Sequence, residues 1–343
     1  MLTGGSTRTE RQGPVCVITT DTDTTTDRLV LALDTLGTPL IRFDLADFPR
    51  RIALDAHFRD GRITGSLTAR GRTTDLETVR AILWWHPGSP QINNPRLTPE
   101  ARRWGTGEAV AGLAGTLAAL DCLHVNHPLH TRAAQLKPDV LVRAAACGLA
   151  VPGTWIGNSP RAAFRFAVAA PAGAVAKSIT VPVINGPDGA PDRRYGVFFT
   201  RRVEATALDS RIGAGAHQLQ HRIDKAYEIR AVVVGSEVFA ARIDAHSAAA
   251  RDDFRADYDS LTYRRTTVPH DVRTGVLRLL RHYGLSYAAL DLLVDHDGKH
   301  WLVDVNPAGQ YDWLQGDPPG LAVTAALAQL LTAGFRSPGR GRT

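Results

Sequence analysis

HWLVDVNPAGQYDWL, at residues 300–314, sets two oxygen-bearing side chains at the end of an apolar strand. Alternate side chains of a strand share a face. Asp304 and Asn306 therefore point one way, and Val305 points the other, into a core. The longer stretch YAALDLLVDHDGKHWLVDVNP (287–307) reads as a hairpin turning at His296-Asp297-Gly298, a strong turn sequence. That turn sets Asp291 within about two positions of being opposite Asp304, and cross-strand Cβ atoms lie roughly 5 Å apart. Two carboxylates and an amide oxygen suit Mg²⁺, which keeps several waters and borrows phosphate oxygens. The plain alternative is an Asp304 paired with an arginine and an Asn306 capping the turn before Pro307.

Two lysines and an arginine-bearing sheet add to this corner. Lys177 lies inside the apolar run GAVAKSI (173–179), where an ammonium needs an anion or a route to water. Lys137 stands just before Pro138 and the helix that follows. In LQHRIDKAYEIRAVVVGSEVFAARIDA (219–245), Gln220 to Ile223 read as a segment joining two lobes, with backbone able to meet an adenine edge. Glu228 and Arg230 alternate with Ile229, and Arg242 and Asp244 alternate on the next strand. An arginine-bearing inner face reads as a wall for phosphates; a solvated sheet face is the other reading.

The elements that must hold these residues are legible in outline. PVCVITT, RLVLALDTLG and PLIRFDL form a β-α-β start, followed by alternating stretches around IALDAHF and ITGSLTA and by the buried strand VRAILWW. This predicts a small α/β domain with a partly parallel sheet. DTDTTTD (21–27) lacks the glycine and glutamate of a calcium loop and reads as a helix cap. PEARRWGTGEAVAGLAGTLAAL (99–120) is a long helix with proline in its first turn. Beyond it come a short helix, a helix from Pro138 to about Cys147, the strand VPGTWIG and a helix from Ser159. YGVFFTRRV, HQLQHRI, YEIRAVVVG and EVFAARIDA read as strands of one antiparallel sheet. PHDVRTGVLRLLRHYGL is an amphipathic helix ending at Gly284, and a last helix spans about 320–333.

The chain has 343 residues, which predicts two or three domains, with tails at 1–13 and 335–343 expected to be disordered. Hydrophobic residues make up 44% and charged residues 22%, as in a soluble protein, and the apolar runs are too short for a membrane span. The three cysteines are scattered without a CxxC pair, and the N-terminus lacks the apolar core of a signal peptide. A reduced, cytoplasmic protein is expected. The net charge of +6 is not gathered into a basic stripe with aromatics, so neither a nucleic-acid nor a membrane partner is expected.

The order Lys137, Lys177, the LQHRI segment, EIR, Asp291 and LVDVNP is similar to the ATP-grasp fold of carboxylate–amine ligases. ILWWHPGSP, KPDVLVRAAACGLAVPGTW, YEIRAVVVGSEVFAARIDAHS followed by DDFR, and LVDVNPAGQYDWL resemble the graspetide (microviridin-type) maturases, which cross-link ribosomal precursor peptides. The resemblance spans about residues 14–333 and implies an α/β (α+β) ATP-grasp fold, two lobes sandwiching ATP. The expected division is a pre-ATP-grasp domain at 14–124, a central lobe at 125–205 and a C-terminal lobe at 206–334. It implies Mg²⁺ on Asp291, Asp304 and Asn306, ATP phosphates on Lys137 and Lys177, adenine between Gln220 and Ile223, and ribose or a polar neighbour on Glu228. Arg230 and Arg242 would steady the transferred phosphoryl group. Asp244, Asp253 and Arg255 would serve the acceptor peptide.

The implied activity is that of an ATP-dependent, ADP-forming ligase. It would activate Asp or Glu side chains of a precursor peptide, with leader and core, as acyl phosphates. Thr, Ser or Lys side chains would then close esters or amides. NGPDGAPDRR (185–194) is the lid candidate, and a homodimer is the family's expectation. Asp304 stands where glutamate is frequent, His221 where an acidic residue often precedes the adenine, and His86 where arginine is expected. The alternatives are a ligase acting on small molecules or on a protein C-terminus, and a nucleotide-binding protein without catalysis.

Overall fold

The computed structural model describes residues 13–180, 183–185 and 194–334. The lid candidate lies mostly outside them, as do tail residues 1–12 and 335–343. The first unit is built on β1 (Val15–Ile18), α1 (Thr24–Thr35), β2 (Leu40–Phe43), β3 (Ile52–Arg59), β4 (Arg62–Ala69), β5 (Arg72–Asp75), β6 (Ala81–Trp84), α2 (Pro99–Ala118) and β7 (Leu123–Val125). Strands β2-β1-β6-β7 form a parallel sheet, and β3-β4-β5 a separate antiparallel one. The DTDTTTD turn is the cap expected of it: Asp23 Oδ1 accepts from the Thr26 amide at the start of α1, 2.9 Å away.

The second unit carries α3 (Pro128–Ala134), α4 (Lys137–Ala146), β8 (Thr154–Gly157), α5 (Pro160–Val168), β9 (Ala174–Lys177), the hairpin β10 (Val183–Asn185) and β11 (Arg194–Val197), β12 (Arg201–Val203) and β13 (His217–His221). Its sheet runs β12-β9-β13-β8. The third unit is β14 (Lys225–Val234), β15 (Glu237–Ala245), α6 (Ala248–Asp252), β16 (Leu261–Thr266), α7 (His270–Tyr283), β17 (Tyr287–Asp295), β18 (His300–Asn306) and α8 (Val323–Ala333). Its five strands pair antiparallel in the order β16-β15-β14-β17-β18. The expected single sheet from 195 to 245 is therefore three: β11 pairs with β10, β12 and β13 join β8 and β9, and β14 opens the next sheet. Residues 247–260 fold into α6 and two short 3-10 turns.

Each face of the five-stranded sheet is buried against something different. Ile229, Ala231, Val233, Leu290, Leu292 and Leu302 pack on α4 and α7. Val232, Val234, Ala241, Tyr287 and Ala289 join α8, α1 and one face of the parallel sheet in a continuous core. The other face of the parallel sheet packs with β3, β4 and α2. The first unit is thus fused to the third by shared apolar burial.

A polar clamp fixes the same junction. Asn126, directly after β7, is 2% exposed. Its amide nitrogen donates to the carbonyls of Tyr287 and Pro307, both at 2.8 Å. Its oxygen accepts from the amides of Ser286 (2.8 Å) and Tyr287 (3.1 Å). One side chain satisfies backbone groups at both ends of the β17–β18 hairpin. Asn126→Ala strands those buried groups and is expected to lower stability by about 3 kcal/mol. A urea melt with an unmoved midpoint would contradict this.

Candidate functional site

The carboxylates meet because β18 carries one residue too many. Leu292 pairs with Leu302, yet Asp291 pairs with Asp304, so Val303 is extra. This β-bulge moves Asp304 and Asn306 onto the face of Asp291 while Leu302 and Val305 both stay in the core. The displaced Val303 carbonyl accepts from Lys177 Nζ at 3.0 Å. Lys137, at the first turn of α4, donates to the Ser178 carbonyl (2.9 Å) and stands 3.7 Å from Asp304. Asn306 Nδ2 lies 3.3 Å from Asp304 Oδ2. The three oxygen-bearing side chains and both lysines border one cavity of about 650 Å³ between the second and third units.

Asp291 is gripped from two sides. Arg230, its neighbour on β14, donates to Oδ1 at 2.8 Å, and Arg255 donates to Oδ2 at 2.6 Å. Burial opposes the charge of this carboxylate, and the two guanidinium groups outweigh burial, holding its pKa well below the usual range. Arg230 also donates to the Gln310 carbonyl at 3.0 Å, but among the described residues its buried Nε has no partner. A second buried acid, Glu228, is pushed up by burial against the pull of Lys225, 2.6 Å away.

The remaining sequence expectations divide. Ile223 lines the cavity. Gln220 does too, with its side-chain amide donating to Thr154 on β8. The amides of His221 and Arg222 are taken by the Gly153 and Gly173 carbonyls, which fixes where the strand enters the cavity. Arg242 and Asp244 are corrections. Arg230 pairs with Ala241, so Arg242 falls on the opposite face, paired with Ile229 and Arg264. There it chelates Asp244 at 2.6 Å and stacks on Tyr227 at 3.7 Å, outside the cavity lining. Asp253 lines the cavity but its oxygens are spent internally, on the Thr200 amide (2.9 Å) and on the amide (3.1 Å) and guanidinium (3.4 Å) of Arg255. It orients Arg255, whose reach to Asp291 was not expected. Gln310 and the aromatic wall of Phe254, Tyr258, Tyr263 and Trp313 were also missed.

The donor set fits a hard divalent cation that completes its shell elsewhere. Among the described residues no group of three His, Cys, Asp or Glu side chains stands together, so two carboxylates and one amide leave coordination positions for waters or substrate oxygens. The orphaned Arg230 Nε and the two lysines fit an anion beside it.

Lys177 is an ammonium held against its desolvation. Burial pushes its pKa down from about 10.5, with Lys137 adding to the push and Asp304 opposing it. The unfolded chain therefore binds the proton more tightly, and the penalty grows as pH falls through the unfolded value. Lys177→Met should raise stability at pH 7, and the gain should vanish above about pH 10.5. Chemical denaturation at pH 7 and pH 10.5 reads both; an unchanged or lowered stability at pH 7 would refute the strain.

Comparison with known proteins agrees with this geometry. Residues 14–132 match the MvdD pre-ATP-grasp domain. A RiPP-associated ATP-grasp ligase of Chryseobacterium gregarium, in complex with ADP and a leader and core peptide, superposes with TM-score 0.82 at 27% identity, covering 93% of this chain and 96% of that one. The macrocyclase MdnC of Microcystis aeruginosa MRC, bound with precursor peptide MdnA, gives 0.79 at 24% identity over 93% of this chain and 99% of its own, a likeness of fold. The ATP-grasp ligase PsnB, complexed with minimal precursor, Mg and ADP, shares the fold at 18% identity and TM-score 0.71, over 93% of this chain and 96% of its own. No curated protein matches at the sequence level. Among the described residues no helix is long and apolar enough to cross a membrane. Residues 14–132 are thus similar to an MvdD-type pre-ATP-grasp domain, and the chain as a whole has the fold of the ATP-grasp ligases.

Proposed function

We propose that the protein is an ATP-dependent macrocyclase of a ribosomal precursor peptide, working in the cytoplasm on a leader and core. It would join Asp or Glu side chains to Thr or Ser hydroxyls, or to Lys amines, within one peptide. The carrying observation is the surplus of cations around a paired carboxylate: Arg230, Arg255, Lys137 and Lys177 gather at Asp291 and Asp304 in one cavity. A surplus of charge held out of water calls for an anion, and a triphosphate answers it. The similarity to ligases held with ADP and peptide supports the same reading.

The residues divide the work as follows. Lys137 and Lys177 would neutralise the phosphate chain, Ile223 and Gln220 would flank the adenine, and Glu228 would meet the ribose. Asp291, Asp304 and Asn306 would hold Mg²⁺, which when bound offsets charge on the transferring phosphoryl group. A substrate carboxylate oxygen bonds to the γ-phosphorus as the β–γ bridging bond breaks, giving an acyl phosphate and ADP. The acceptor hydroxyl or amine then adds to the acyl carbon, loses its proton, and expels inorganic phosphate. No protein nucleophile is required, and Arg230 with Arg255 would supply the electrostatic stabilisation. The proposed divisions of the chain are residues 14–124, 125–205 and 206–334, with the adenine segment at the join of the last two.

Incubation with ATP, Mg²⁺ and a Thr/Asp/Glu-rich precursor peptide should remove one water per bond, read by mass spectrometry. An unchanged peptide mass with authentic precursor would count against the reading. Asp304→Ala should reduce turnover by about a hundredfold or more while the fold persists. Arg242→Met, on the far face of the sheet, should keep turnover within about twofold and cost about 1 kcal/mol of stability. Turnover lost equally in both variants would return Arg242 to the site.

A further inference from the structure

We infer that Asp23, in the first unit, is a positioning residue for the phosphoryl-transfer site of the third. The role rests on the ligase reading of Arg230 given above. Asp23 Oδ1 caps α1. Its other oxygen accepts from Gln310 Nε2 at 3.2 Å. Thr25, one turn into the same helix start, donates to Gln310 Oε1 at 2.6 Å. The two ends of the Gln310 amide are therefore held by the cap and the first turn of α1, and Arg28 adds a third tie at 3.3 Å to Asp312.

The clamp acts on Arg230 through the main chain. The Gln310 carbonyl accepts from Arg230 Nη2, and Arg230 Nη1 donates to Asp291. Gly309 completes the cradle: a Cβ there would stand 2.7 Å from Arg230 Nη2. Tyr287 donates to the Gly309 carbonyl at 2.5 Å, so the loop cannot follow Arg230 if the guanidinium shifts. Asp23 is itself held charged. Burial raises its pKa, and His86, the Thr26 amide and Gln310 lower it by more. The path from Asp23 to Gln310, Arg230 and Asp291 is continuous, and its start is in a unit of which no described residue lines the cavity. It explains mechanically why that unit is fused to the ligase.

Asp23→Ser separates the two tasks of Asp23, since serine caps a helix well and is too short to reach Gln310. Asp23→Asn keeps both, because the Gln310 amide can turn to accept from asparagine and donate to Thr25. In ¹⁵N-arginine-labelled protein, the Arg230 Nε–H signal, assigned by its loss in Arg230→Lys, should shift in Asp23→Ser and stay in Asp23→Asn. With ATP and precursor peptide, kcat should fall about tenfold in Asp23→Ser with little change in the KM for ATP, and return in Asp23→Asn. An Arg230 signal unmoved in Asp23→Ser, or equal kcat in wild type and Asp23→Ser, overturns the proposal. The signal is read without turnover, so a wild-type protein inert toward its precursor overturns the ligase reading while the Arg230 resonance still decides the positioning.

Discussion

Arg230 and Asp291 stand 2.8 Å apart with side chains only 6% and 7% exposed. Desolvating two such ions costs several kcal/mol each, and a well-packed apolar pair at the same positions is often at least as stable. Stability alone is therefore a weak reason for the pair. Its surroundings give a better one. Arg255 takes the second oxygen of Asp291, Asp253 orients Arg255, and the Gln310 carbonyl takes the other arm of Arg230. Among the described residues, the buried polar side-chain atom of this cluster left without a partner is Arg230 Nε, a donor. The lattice of contacts holds positive charge at fixed positions beside a cavity, which is the preorganisation that an anionic transition state requires.

Local irregularity and global packing meet in the bulge at Val303. A regular ladder would carry the Leu292–Leu302 pairing one step on to set Asp291 against Val303. The inserted residue turns Asp304 and Asn306 toward the cavity and frees a carbonyl for Lys177. The bulge survives because its neighbours are over-determined. Leu302 and Val305 are both buried in the core against α4 and α7, and the Leu302 amide is held by the Ala150 carbonyl at 2.8 Å. The core thus supplies the constraint that keeps a less regular strand in the one shape useful to the site.

Much of this was written in the chain and some of it could have been read more closely. The alternation D-V-N sets Asp304 and Asn306 on one side, but the turn at Gly298 alone would pair Asp291 with Val303, and the bulge is needed to bring all three together. The spacing of Leu302 and Val305, three apart and both apolar, already breaks the two-residue period and marks the bulge. Arg242 was assigned to the wrong face although the turn contained the answer: a two-residue turn at Gly235-Ser236 pairs Val234 with Glu237, and counting back sets Arg230 opposite Ala241. Alternation along a strand gives a face only relative to that strand, and pairing gives the rest. Asn126, Arg255 and Gln310 were different. Their partners lie 161, 36 and 287 residues away in Tyr287, Asp291 and Asp23, and no local pattern encodes such distances.

The first unit shows what those long contacts accomplish. Its parallel sheet ends at Thr19 and Trp85, and Trp85 packs edge-on against Tyr287 and Tyr311, 5.3 and 5.8 Å away. Tyr287 begins β17 and Tyr311 follows Gln310, so one buried indole touches both flanks of the loop that carries Arg230's acceptor. Apolar packing of this kind sets distance but not direction, because ring contacts tolerate rotation. Direction comes from Asn126, which donates to the Pro307 carbonyl, and from Asp23 and Thr25, which hold the two ends of the Gln310 side-chain amide. A unit with no cavity-lining side chain among its described residues can still determine the site, because it sets the position of the backbone to which the lining side chains are bonded.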